Sequence, residues 1–80
     1  MTDLKDITEM KQGESGIVVD IRGGHGMLRK MESLGIRPSI KIVKVSSQFM
    51  RGPINIRVGN SKIAIGFGIA KKIVVERCME

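Results

Sequence analysis

A chain of 80 residues with 41% hydrophobic content and a mean hydropathy of +0.01 carries enough apolar material to fold, which excludes a disordered tail. A chain this short buries only about 60% of the surface its unfolded form exposes, so a catalytic cleft would compete with the core for side chains and a binding module is the better expectation. The net charge of +6 is unevenly placed: residues 1–20 hold two lysines against five acids, and residues 21–57 hold eight Lys or Arg against one Glu. A basic middle points to an acidic partner surface on a protein, a nucleic acid or a membrane leaflet, the plainer reading being a solvated surface that keeps a small domain soluble.

In chain order, Leu4–Met10 reads as an opening turn, with Leu4, Ile7 and Met10 spaced to lie on one side. Gly16–Arg22 alternates, with Ile17, Val19 and Ile21 on one face and Val18, Asp20 and Arg22 on the other, which predicts a first strand. Residues 23–38 then open on a glycine cluster, continue as a two-turn amphipathic helix and close on Gly35 and Pro38. Met27, Met31 and Leu34 fall at i, i+4 and i+7 and share its apolar face, with Arg29, Lys30, Glu32 and Ser33 mostly opposite.

Ile40–Ser46 predicts a second strand whose alternation slips: Ile40 and Ile42 have one parity, Val43 and Val45 the other, and Lys41 and Lys44 belong to neither pair. A parity slip of this kind marks a bulge or a sharp coil, which a small barrel needs to turn a corner. Ile54–Val58 places Ile54, Ile56 and Val58 inward, Gly59-Asn60 supplies a tight hairpin turn, and Lys62–Ile65 returns with Ile63 and Ile65 inward. Gly66–Ala70 is too glycine-rich for a strand and reads as one helical turn, after which Lys72–Arg77 forms the last strand with Ile73 and Val75 on one face. The sum is a mainly β chain: a small five-stranded SH3-like barrel spanning residues 1–80 as one domain, with a short helix inserted between strands one and two.

Chemistry is sparse. Gly24-His25-Gly26 and Gly66-x-Gly68 each lack the third glycine of a dinucleotide loop, and no Gly-Lys-Ser or Gly-Lys-Thr is present. Gly13-Glu14-Ser15-Gly16 lacks the residue a nucleophile elbow needs between serine and the second glycine. His25, the single histidine, has no acid nearby in sequence to orient it, and a polar helix-start role is the plain alternative. His25, Cys78 and six methionines match no metal-ligand spacing, so no cofactor and no metal site is expected and the chain is not read as an enzyme.

A lone cysteine permits no intrachain disulfide, the N-terminus has no signal-peptide pattern, and the longest run free of polar side chains, Ile63–Ala70, is far short of a membrane span. A cytoplasmic protein, at a membrane only through a partner, is the expectation. With no Trp or Tyr and only two Phe, the chain cannot build the aromatic groove that proline-rich ligands need or the stacking platform of single-strand binders. Duplex contact through phosphates alone stays open but lacks a base-reading helix.

Two features could bind a protein. Residues 46–52 form the loop between strands two and three, where Phe49 and Met50 would make an apolar anchor beside Arg51, or Phe49 would fold back over the core. On the helix, Leu28 lies off the Met27–Met31–Leu34 line, either capping the core edge or partly exposed beside Arg29 and Lys30. Leu28, Arg29, Lys30, Phe49, Met50 and Arg51 are therefore the candidate partner-binding residues.

The ordered set Leu4-x-x-Ile7, Gly13, Gly16, Gly23-Gly24, Leu34-Gly35-Ile36-x-Pro38, Gly52-Pro53-Ile54-x-Ile56-x-Val58, Ala64, Ala70 and Ile73 resembles the FeoA family over nearly the whole chain. The sequence departs at Ser39, where the family often has glycine, and the departure bears on the local turn type. The resemblance implies the same SH3-like fold and a non-enzymatic adaptor of bacterial ferrous iron uptake. The implied partner is the cytosolic, nucleotide-hydrolysing part of an FeoB-type membrane transporter. Two other readings are a regulatory module, like the SH3-like domain of DtxR-type iron-dependent repressors acting on a transcription factor or DNA, and weak self-association through open strand edges.

Overall fold

A computed structural model describes residues 4–47 and 52–77. The candidate anchor residues Phe49, Met50 and Arg51, and also Cys78, lie outside the described residues. Six strands form one antiparallel sheet: β1 (Leu4–Asp6), β2 (Ser15–Ile21), β3 (Lys41–Ser47), β4 (Ile54–Val58), β5 (Ser61–Ile65) and β6 (Ile73–Arg77), in the order β1-β6-β2-β3-β4-β5. Helix α1 (Gly24–Ser33) joins β2 to β3, and the single turn α2 (Phe67–Ala70) joins β5 to β6. Buried Val18, Ile42, Ile54, Ile56, Ile65, Ile73 and Val75, contributed by five strands, belong to one cluster with Met31 and Ile36, so the sheet must curl around a shared core. Each fully buried Ile or Val in that core contributes about 1.5–3 kcal/mol.

The sixth strand corrects the five-stranded expectation. Residues 4–6 do not join an opening turn but pair with β6, Leu4 opposite Glu76 and Asp6 opposite Val74. Leu4 is consequently 58% exposed, while Ile7 and Met10 are buried as the spacing predicts. The turn itself is a 3-10 helix over Ile7–Glu9, held by a capping box: the Glu9 amide donates to Asp6 Oδ1 at 3.2 Å and the Asp6 amide to Glu9 Oε1 at 2.9 Å.

The first predicted strand forms, but its two faces are not the ones the alternation gives. Val18 is fully buried and Val19 is 39% exposed, because the β2–β6 register shifts between Val18 and Asp20. The extra residue, Val19, is extruded, and the parity change brings Ile21 back to the core. A bulge is present in β3, but as a register shift between Lys44 and Ser46 against β4 and not between Ile42 and Val43, since Ile42 and Lys44 are both buried on one inward row. At the Gly59-Asn60 turn, only Gly59 has positive φ (62°), the pattern of a turn with glycine at its first central position.

Helix α1 ends in a Schellman motif: the Gly35 amide donates to Glu32 O at 3.0 Å and the Ile36 amide to Met31 O at 2.9 Å, with Gly35 at φ +87°. Ile36 and Met31, the two side chains this motif brings together, are both fully buried. Leu34, predicted on the apolar face with Met27 and Met31, is instead the C-cap and is 40% exposed. Past the last helical turn the chain leaves the 3.6-residue spiral, and Ile36 fills the place Leu34 would have taken.

Candidate functional site

On α1 the candidate residues divide by depth. Leu28 is half-buried and packs against the core cluster, while Arg29 and Lys30 are exposed. Their positions follow from the helix: Met31 is the fully buried side chain of α1, Met27 packs beside it one turn earlier, and Leu28 lies on the flank of that stripe. Lys30 stands in the last turn, where a cation complements the helix dipole, and Ser33 Oγ donates to its carbonyl at 2.6 Å.

The other candidate segment leaves β3 at its far end. Helix α1 feeds into β3 through Pro38–Ile40, which bonds back to Val18 (Ser39 amide to Val18 O, 2.7 Å; Val18 amide to Ile40 O, 2.9 Å). The 48–53 connection departs after Ser47 and returns at Ile54, which pairs with it. The two candidate segments are therefore rooted at opposite ends of a seven-residue strand, about 20 Å of extended chain. Phe49, Met50 and Arg51 themselves lie outside the described residues.

A side chain that sequence reasoning missed lies beneath the sheet. Lys44 is 3% exposed, in the inward row of β3 that Ile42 shares, opposite Ile56. Its ammonium donates to Ile7 O at 3.1 Å, Thr8 O at 3.3 Å and Met10 O at 2.7 Å, three carbonyls of the 3-10 turn and its C-cap, of which Ile7 O also accepts from the Met10 amide. Burial pulls its pKa below the ordinary lysine range, opposed by the Asp6 and Glu14 carboxylates. Three charge-assisted bonds meet all three of its donors, so Lys44 is a staple between β3 and the turn and is not part of the basic surface.

A shallow depression of about 370 Å³ lies among Lys5, Lys11, Gln12, Glu14 and Arg77. Glu14 is its centre: the Lys11 amide donates to Oε1 at 2.8 Å, Lys5 Nζ to Oε2 at 3.2 Å, and Arg77 Nε lies 3.7 Å from Oε2. The Lys11 amide bond, with partial burial working against it and the Lys5 and Arg77 charges assisting, holds the Glu14 carboxyl below its ordinary pKa. Glu14 thus offsets part of the charge of the three cations that line the depression and ties β1, β2 and β6 together. Among the described residues no cluster of three or more His, Cys, Asp or Glu could hold a metal ion, and no helix is long and apolar enough to cross a membrane.

Comparison with known proteins fits this arrangement. A sequence profile described as the FeoA domain matches residues 5–77. A protein of Methanocaldococcus jannaschii, named as a candidate Fe(2+) transport protein A, is 41% identical over 66 residues, covering 82% of this chain and 78% of its own. The crystal structure of an iron uptake regulatory protein (FeoA) superposes with a TM-score of 0.87 at 38% identity, over 95% of this chain and 99% of that one. An FeoA-like protein of Clostridium acetobutylicum gives 0.86 at 25% identity, over 100% and 93%. A manganese-dependent transcriptional repressor also reaches 0.86, at 20% identity over 98% of this chain and 44% of its own, a likeness of fold. With its profile, relatives and SH3-like fold in agreement, the chain belongs to the FeoA family.

Proposed function

We propose that this chain is a non-enzymatic adaptor in bacterial ferrous iron uptake. It docks on the cytosolic, nucleotide-hydrolysing part of an FeoB-type membrane transporter and supports its activity. The observation that carries the reading is family membership over residues 5–77, joined to a relative named for Fe(2+) transport. The surface is consistent with it: Arg29 and Lys30 are exposed beside half-buried Leu28, a basic rim on an apolar edge suited to an acidic protein face. Phe49 and Met50 would add the apolar anchor, and Arg51 its flanking charge.

The test is a titration of isotope-labelled chain with the soluble nucleotide-hydrolysing domain of the cognate transporter. Salt-sensitive amide shifts confined to residues 27–31 and 48–52 are the expected result; no shifts at all would overturn the adaptor reading. Replacing both Phe49 and Met50 with Ser is expected to abolish docking with the fold intact, and normal binding by that variant would remove them from the anchor. A second reading, a regulatory module acting on a transcription factor or DNA, draws on the fold shared with the manganese-dependent repressor. Tight, sequence-dependent retention of duplex DNA in a mobility-shift assay at physiological salt would favour it.

A further inference from the structure

The sheet ends at β5, and among the described residues no strand pairs with its outer side. The hairpin register determines which backbone groups that edge presents. A two-residue turn makes its flanking pair, Val58 and Ser61, a hydrogen-bonded one, so Ile63 and Ile65 also bond to β4 while Lys62 and Ala64 point their amides and carbonyls away from it. Lys62 and Ala64 are both exposed, their side chains on the outer face of the sheet.

The charge on this edge is equally specific. Lys62 lies directly opposite Arg57 on β4, in a non-hydrogen-bonded pair, the closer of the two antiparallel spacings. Like charges so placed repel, and neither side chain has an ion pair among the described residues. The row continues through Val43 to Ser15, with exposed Lys41 two residues before Val43, and contains no carboxylate. On the inward side of the same edge, Ile63 is only half-buried against the core.

From this edge we infer that β5 accepts an extended segment of a partner protein as a seventh strand, one whose residues alternate acidic and apolar. Acidic side chains on the outer face meet Lys62 and Arg57 and relieve their repulsion; apolar side chains on the other face extend the core edge at Ile63; the Lys62 and Ala64 backbones supply the ladder. A second copy of this chain is the poorer occupant, because pairing β5 with β5 would bring two Lys62–Arg57 pairs together. This site lies on the strand edge and outer sheet face, and it does not depend on the α1 docking reading.

The experiment titrates the full chain with an end-capped eight-residue peptide of alternating Glu and Val, and with an isomer of the same composition whose four Val precede four Glu. The alternating peptide is expected to shift the Lys62 and Ala64 amides and to slow their hydrogen exchange, while the Ile63 amide, already bonded to β4, stays protected throughout. Ala64→Pro removes one outward amide without touching the β4 ladder and is expected to abolish the effect. Lys62→Glu, which preserves every backbone group, is expected to weaken binding about tenfold or more. Equal binding of both isomers, displacement of the peptide by duplex DNA at matched charge, no protection of Lys62 and Ala64, or a concentration-dependent dimer abolished by Ala64→Pro would each overturn the assignment.

Discussion

Ser39 is the one described non-glycine residue with a positive φ, at 81°, and it stands where the family often carries glycine. Its amide is committed to Val18 O, so the backbone cannot relax without breaking that bond. A left-handed conformation costs an L-residue about 1–2 kcal/mol, part of which glycine returns as lost chain entropy in folding. Ser39→Gly should therefore stabilise the protein by about 0.5–1 kcal/mol, read as a higher urea midpoint with an unchanged slope. Lys44 tests the opposite sign. Lys44→Met keeps the length and apolar stem but removes the ammonium that three carbonyls at the 3-10 turn share, of which Ile7 O keeps the Met10 amide as donor, and should cost about 2–4 kcal/mol in the same assay. The departure at Ser39 was visible in the sequence as a departure, but Lys44 was not visible as a core residue. A lysine in a β-run reads as solvated, and its acceptors lie 34 to 37 residues earlier in the chain, where no local pattern announces them.

Among elements, Glu14 joins the start of β2 to β1 through Lys5 and to β6 through Arg77. Its carboxyl is held below the ordinary value of 4.5, so the folded state binds fewer protons than the unfolded state in that region. The resulting stability is complete above the ordinary carboxylate range and is lost as pH falls through the depressed folded value. Glu14→Gln should lower the urea midpoint at neutral pH and flatten the decline on acidification. An unchanged acid limb would mean that other carboxylates carry it. The elements themselves were largely legible. Gly35 and Pro38 ended α1 where predicted, and β3 does carry a bulge, but after Lys44 and not at the Ile42/Val43 slip, because Lys44 shares the inward row with Ile42. The bulge at Val19 was not legible, since Ile17, Val19 and Ile21 alternate cleanly and only pairing with β6 extrudes the middle residue. Three-residue β1 was hidden for a related reason: the Leu4-x-x-Ile7 spacing fits a turn, and its pairing partner lies at the other end of the chain.

At the scale of the whole molecule, the acids of the first 20 residues are partly consumed internally, by Glu14 with its cations and by the Asp6–Glu9 capping box. Lys44 is buried as well, so among the described residues the basic excess of the middle segment that reaches solvent comes from Arg22, Arg29, Lys30, Arg37, Lys41 and Arg57, joined by exposed Lys62, Lys71 and Lys72. Of the candidate site, the sequence made the α1 half readable, because helical spacing alone separates Leu28 from Arg29 and Lys30. The loop half rests on Phe49, Met50 and Arg51, where apolar residues at a connection fit either an anchor or a core lid. If the proposed transporter docking is steered by this surface, its charges act before contact and its apolar groups act after. Reversing both Arg29→Glu and Lys30→Glu should then lower the association rate constant about tenfold or more at low salt while leaving dissociation nearly unchanged. Raising ionic strength to about 0.5 M should shrink the difference between variant and parent, because the Debye length falls to about 4 Å and long-range steering is screened. Stopped-flow mixing with the transporter's soluble domain separates the two rates. Loss carried by dissociation would place Arg29 and Lys30 in the desolvated centre of the contact, with Leu28 beside them as its anchor; unchanged rates would move the docking face off α1 altogether.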